Sequence, residues 1–168
     1  MLLDMTEGKG TFPMLEYSPG ELLCDSFSIS AMLVRASNKE MLLGIDHEEQ
    51  KHQIEWMKFI MSDLLPIIQQ LRLLAFGHEK TTRPQYEQLY QMYKKTADVF
   101  QIHLKTKRMF LVGANLTICD IFLSLALTEM YQCIMDPHFR GKIPNVNKLF
   151  KFVTSEVPEY KKQMGIIK

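Results

Sequence analysis

The chain has 168 residues, of which 46% are hydrophobic and 23% charged, with a net charge of +1. That is material for one compact core with a small appendage, and at this near-neutral balance the average composition names no partner. Three widely spaced cysteines, Cys24, Cys119 and Cys133, with no CxxC, argue against a disulfide framework and fit a reducing compartment.

The first eleven residues lack periodicity. Two apolar runs, Phe12 to Tyr17 and Glu21 to Cys24, flank Ser18-Pro19-Gly20 and predict a β-hairpin. Asp25-Ser26 then offers a cap for a short helix from Phe27 to Arg35. Asp46 and Glu49 form a second capping signal ahead of a long helix. Its apolar stripe runs through Ile54, Met57, Ile60 or Met61, Leu64, Ile67 or Ile68 and Leu71, with a kink expected at Pro66 and an end at Gly77. The next helix begins after Thr82 and carries a regular stripe: Tyr86, Leu89, Tyr90, Tyr93, Ala97, Phe100 and Leu104. At helical spacing those tyrosines read as core and not as a base-stacking platform.

Beyond Gly113, Thr117 and Asp120 make a capping box, and Leu116 and Ile121 stand at the positions of a hydrophobic staple. The helix they open, Ile118 to about Met135, is apolar on nearly every face and belongs at the centre of a protein. Pro137 is expected to end that region. Pro144-Asn145 opens another helix through Val146, Leu149, Phe150 and Val153, and a last short helix is expected from about Glu156 to Met164. The tally is six helices after one hairpin, with no repeat and no low-complexity segment. Charge divides unevenly. Residues 1–55 hold ten acids and four bases, hence −6, and residues 56–168 hold nine acids and sixteen bases, hence +7. Different solvated helix faces account for the split; the alternative it leaves is head-to-tail association or contact with an acidic partner.

Phe110-Leu111-Val112-Gly113 followed by Leu116-Thr117-Ile118-Cys119-Asp120-Ile121 resembles the central-helix motif of the glutathione-transferase superfamily's helical domain. Trp56-Met57-Lys58-Phe59 with Ser62-Asp63 and Pro66, and Asp136-Pro137-His138-Phe139-Arg140 with Pro144-Asn145-Val146-Asn147, are similar to the gamma subunits of eukaryotic translation elongation factor 1. The resemblance implies a mainly α fold: a transferase C-terminal-type helical bundle over 44–168, preceded over 1–43 by a truncated thioredoxin-like ββα remnant. Its βαβ half, which supplies the catalytic Tyr, Ser or Cys in the enzymes, is expected to be absent, as is the large carboxy-terminal domain of full-length gamma subunits. Pro13 stands where the superfamily has its cis-proline. Asp25 and Ser26 stand where it has the pair that holds the γ-glutamyl end of glutathione. These three are the vestigial glutathione-binding residues the resemblance implies, although a helix cap alone explains Asp25 and Ser26 equally well.

No catalytic residue is assigned. Cys119 beside the staple is expected to be buried and inert. His47 and His52 lie five residues apart, about 140° around a helix, and cannot share a metal in the zincin manner. Asn115-Leu116-Thr117 is an incidental sequon. The expected role is a non-catalytic scaffold without cofactor, in the cytoplasm, with no DNA binding and no membrane insertion. Its implied partner is the exchange-factor subunit of elongation factor 1 or the members of another assembly, and a homodimer is the implied mode of self-association. The rival reading is a glutathione-binding protein or glutathione transferase.

Overall fold

The computed structural model describes residues 13–105, 108–157, 159–160 and 162. Two short antiparallel strands, β1 (Leu15–Ser18) and β2 (Glu21–Leu23), pair Leu15 with Leu23 and Glu16 with Leu22. Gly20 closes the turn at φ +82, a backbone region that a side chain disfavours. The expected first strand reached back to Phe12, which lies outside the described residues.

Helix α1 (Ser26–Ala36) follows, then a 3₁₀ turn at Glu40–Leu43. Helix α2 (His47–Phe59) passes through a π turn at Ile60–Leu64 into α3 (Leu65–Ala75). The expected kink at Pro66 is therefore met one turn upstream. The Leu65 N–H reaches back to the Ile60 carbonyl, and this wider turn makes room ahead of a ring that would otherwise crowd the preceding turn. Helix α4 (Arg83–Leu104) buries Tyr90, Tyr93, Ala97, Phe100 and Leu104, so the tyrosine stripe is core.

Helix α5 (Ile118–Glu129) and the π turn at Met130–Ile134 that continues it form the centre of the bundle. Leu123, Ala126, Leu127, Met130 and Tyr131 are all buried there, and α5 packs on α2, α3 and α7. Pro137 does not simply end this region. With Asp136 as its N-cap, accepting from the Phe139 N–H, it starts a short helix α6 (Pro137–Lys142), because proline is well suited to a first helical turn. Helix α7 (Pro144–Glu156) completes the described bundle. Of the expected final helix, residues 159, 160 and 162 are helical, and the others beyond Val157 lie outside the described residues.

Two apolar clusters result. The large one spans α2 to α7. A small one joins Val34 and Leu43 to Ile118, with Phe27, Ala31 and Leu42 against it, and fastens α1 to the head of α5. Among the described residues no helix is long and apolar enough to cross a membrane.

Candidate functional site

The pairing of Leu15 with Leu23 sets Pro13, two residues before, and Asp25, two residues after, at the same open end of the hairpin. Pro13 is exposed in a bend, and the Phe12 that precedes it lies outside the described residues. Asp25 is the N-cap of α1. Its Oδ1 accepts the backbone N–H groups of Phe27 and Ser28, both at 3.0 Å. The hydroxyl and the N–H of Ser28 together hold the Asp25 carboxyl below the usual carboxylate range. Ser26 is half-buried, and its carbonyl accepts from the Ser30 hydroxyl at 2.7 Å. Thus one oxygen of the Asp25 carboxylate is already committed to the helix itself.

Beside this end opens a hollow of about 400 Å³ walled by the hairpin, α1, α2 and Leu43 of the 3₁₀ turn. The hairpin contributes Tyr17, α1 contributes Phe27, Ala31 and Arg35, and α2 contributes Gln53 and Ile54. Here the sequence expectation inverts. Ile54 was expected on the inward stripe of the long helix, yet it is 57% exposed, while Gln53 is 1% exposed. The rest of the expected stripe is buried, through Met57, Ile60, Leu64, Ile68 and Leu71, and at its start Gln53 takes the inward place in Ile54's stead. The Gln53 amide donates to the Leu42 carbonyl at 3.1 Å, and its buried Oε1 has no hydrogen-bond partner among the described residues.

The head of α5 is the opposite kind of place. Asp120 is 0% exposed and accepts three hydrogen bonds: from the Thr117 N–H at 2.9 Å, the Thr117 hydroxyl at 2.7 Å and the Leu111 N–H at 2.8 Å. Burial pushes its carboxyl up to about 6, against the pull of those donors. Leu116 and Ile121, on either side of the cap, are partly buried and packed on the main core. Cys119, in the first turn of α5, is buried; burial, with the Asp120 carboxylate second, drives its thiol far above the ordinary range. A thiol held neutral in that way is neither nucleophile nor redox centre at neutral pH.

Another hollow, about 470 Å³, lies between the start of α2 and the loop before α5. His103 sits in it with its ring 4.5 Å from that of Trp56 and its Nε2 2.8 Å from the Leu111 carbonyl. Burial lowers the His103 pKa. His52 lines the same hollow and pairs with Glu55 at 3.0 Å. Among the described residues no group of three or more His, Cys, Asp or Glu is placed to hold a metal ion. The loop here is locked by Glu49, a residue read from the sequence only as part of a helix start. The Asp46 carboxylate accepts the Glu49 N–H at 2.8 Å, but Glu49 Oε2 accepts from Ile45, one residue before the expected cap position, at 2.9 Å. Glu49 is clasped by two glycines at positive φ, Gly44 (+94) and Gly113 (+59). A Cβ on Gly113 would stand 2.0 Å from Glu49 Oε1.

Residues 64–156, more than half of the chain, match the family model of the glutathione S-transferase C-terminal domain. Over 159 residues the chain is 28% identical to elongation factor 1-gamma of Rattus norvegicus, and over 164 residues it is 29% identical to elongation factor 1-gamma-B of Xenopus laevis. Each match takes in 95% of this chain and 35% of the relative, so the chain spans about a third of the length of the curated relatives it matches. The GST-like domain of elongation factor 1-gamma from Saccharomyces cerevisiae superposes with a TM-score of 0.83 at 21% identity, covering 99% of this chain and 78% of that one. The glutathione transferase URE2P6 of Phanerochaete chrysosporium, in complex with oxidized glutathione, superposes with a TM-score of 0.81 at 19% identity, covering 95% and 74%. At those identities the superpositions speak for the fold.

Proposed function

The chain belongs to the family of the glutathione S-transferase C-terminal domain, and on that footing we propose that it is a non-catalytic interaction module of the elongation-factor-1 gamma kind. In this reading it helps to hold a multisubunit complex together in the cytoplasm, without a cofactor. Its partner is the exchange-factor subunit of elongation factor 1. The observation that carries the reading is the match to proteins named elongation factor 1-gamma along 95% of this chain. The side chains support it. Asp25 caps its own helix, the Cys119 thiol is neutral and enclosed, and Asp120 is consumed in a buried cap. What the surface offers instead is apolar area, with Tyr17, Met41, Ile45 and Ile54 each more than 40% exposed around the N-terminal segment. Exposed apolar groups gathered in one region mark contact surfaces.

Native co-purification of the tagged chain tests this. Recovery of elongation-factor-1 subunits in fixed ratio is expected. A different stable assembly would keep the scaffold mechanism and remove the translation assignment.

The second reading is glutathione binding, favoured by Asp25 and Ser26 at the head of α1 and by the likeness to a transferase solved with oxidized glutathione. Calorimetric titration with glutathione decides it. No heat of binding is expected, and a saturating isotherm that Asp25→Ala abolishes would establish the rival.

A further inference from the structure

Three polar side chains stand in line at the head of α5. The Cys119 Sγ lies 3.0 Å from the Thr117 hydroxyl oxygen, and that oxygen lies 2.7 Å from Asp120 Oδ2. All three residues are buried. Two backbone donors hold the far end, the Thr117 N–H on Oδ2 and the Leu111 N–H on Oδ1. A hydroxyl both donates and accepts, a thiol does so weakly, and an ionised carboxylate only accepts. With Asp120 ionised the direction of the line is therefore fixed. The Thr117 hydroxyl donates to Oδ2, and the Cys119 S–H donates to the Thr117 oxygen.

Proton uptake reverses that direction. Oδ1 faces the Leu111 N–H, so a proton placed there would set donor against donor. Oδ2 has the Thr117 oxygen within reach as an acceptor. Once Oδ2–H donates to that oxygen, the Thr117 hydroxyl turns to the Cys119 sulfur, and the thiol gives up its own donation. The group that loses an acceptor is thus a weak donor, and both backbone N–H groups keep an oxygen to face. The other titratable groups stand further off. His103 at the end of α4 donates from Nε2 to the Leu111 carbonyl at 2.8 Å, with Arg108 beyond it, and Glu49 of α2 meets Gly113 of the same loop. Asp63 of the first π turn, Arg72 of α3 and Lys148, Lys151 and Glu156 of α7 are exposed.

We infer that Cys119, Thr117 and Asp120 form a two-position proton switch inside the cap of the central helix, in which the direction of hydrogen bonding along the three side chains follows the protonation of Asp120. Cys119 is its terminal group, a donor in one position and an acceptor in the other, and needs no thiolate for the task. Burial, which pushes the Asp120 carboxyl up to about 6, brings the change into a mildly acidic range. Leu111 registers it. Its N–H passes from a charge-assisted bond to a neutral one of about half the strength, and the same peptide's carbonyl is held by His103. The switch is independent of the interaction-module reading, since every member of it is internal.

The test uses the full chain with the exposed Cys24 and Cys133 replaced by serine, so that Cys119 carries the one remaining thiol. Two signals are followed from about pH 4 to 8. Carbon NMR reads the Asp120 carboxyl, and infrared absorption reads the Cys119 S–H stretch. The carboxyl is expected to titrate near 6, with the S–H band passing from its bonded to its unbonded position at the same midpoint and the Leu111 amide proton moving upfield as pH falls. Cys119→Ser keeps an acceptor for the turned hydroxyl and should keep the midpoint. Cys119→Ala strands that hydroxyl in the protonated form and should weaken proton binding at Asp120 at least about threefold. An S–H band that stays put while the carboxyl titrates would overturn the switch, as would a carboxyl that stays ionised throughout. Equal carboxyl midpoints in wild type, Cys119→Ala and Cys119→Ser would overturn it as well. Where a variant fails to fold, the S–H band of the parent chain decides alone.

Discussion

The head of α5 and the hollow between α1 and α2 meet at one residue. Ile118 opens α5 and also packs with Val34 and Leu43 in the small apolar cluster. The two regions nevertheless follow opposite rules. At the head of α5 the buried polar groups are satisfied from within: Asp120 gathers three donors and is closed from water. Between α1 and α2 an isoleucine faces solvent, and among the described residues a glutamine oxygen is buried without a hydrogen-bond partner and Arg35 makes no ion pair. Polar groups fully paired inside a protein specify one arrangement. Apolar and polar groups left incompletely matched at its surface are where a second molecule finds free energy to gain. The first region builds the fold; the second leaves it unfinished.

The largest effect is expected where the pairing is complete. Asp120→Ala strands two backbone N–H groups, Thr117 and Leu111, in a buried site. At roughly 1–3 kcal/mol for each orphaned donor, the loss is about 2–6 kcal/mol in chemical denaturation. An unchanged midpoint would mean that the cap contributes nothing. The same carboxyl gives a pH signature. Its folded pKa, about 6, lies above the ordinary aspartate value of 3.8. The stability it contributes is therefore fully present below about pH 4 and is lost as pH rises through 6, because the unfolded chain releases its proton first. The displacement corresponds to on the order of 3 kcal/mol. Asp120→Asn should flatten the stability profile between pH 4 and 6; an unaltered slope would place the titration elsewhere.

Next comes the clasp on Glu49. Gly113→Ala adds a Cβ at φ +59 and 2.0 Å from the Glu49 carboxylate. Backbone strain alone costs about 1 kcal/mol, and displacing Glu49 adds about 1–3 kcal/mol for the Ile45 N–H that loses its acceptor. In the Glu49→Ala background the same glycine substitution should cost only the backbone part. Equal costs in both backgrounds would show that the two residues do not communicate. Thr117→Ala should cost about 1–2 kcal/mol, less than Asp120→Ala, since the Thr117 N–H keeps its acceptor.

What the sequence makes visible follows from how far apart the cooperating residues stand. Thr117 and Asp120 are neighbours along the chain, so a cap can be read there. Leu111, which gives the third hydrogen bond, is nine residues away across a loop and carries no side-chain sign of it. Glu49 and Gly113 belong to different elements, and only folding reveals that a glycine in one makes room for a carboxylate in the other. The helix α6 was legible but was misread. Asp136 before Pro137 is a cap followed by a proline suited to a first turn, and the proline was weighed only as a terminator. The π turn before Pro66 has its cause in the sequence, whereas the one at Met130–Ile134 contains no proline or glycine to announce it. Ile54 alone departs from its expected stripe: polarity on paper favours it over Gln53 for the inward place, while in the structure the bundle decides which face turns inward at the start of α2.

The smallest effect on stability is expected at Ile54, and it sharpens the contrast most. Its side chain rims the hollow and makes no part of either apolar cluster. Ile54→Asp should therefore change stability by no more than about 0.5 kcal/mol, the usual range for a surface position. A core isoleucine such as Ile60, wholly buried in the large cluster, should lose at least about 4 kcal/mol on the same change, because it would bury an unpaired charge. If Ile54→Asp melts like Ile60→Asp, the hollow's wall is structural and the division between a finished and an unfinished region fails. If it melts like wild type, the chain keeps an isoleucine in water that its own fold does not need, and the reason for that isoleucine lies outside the folded chain.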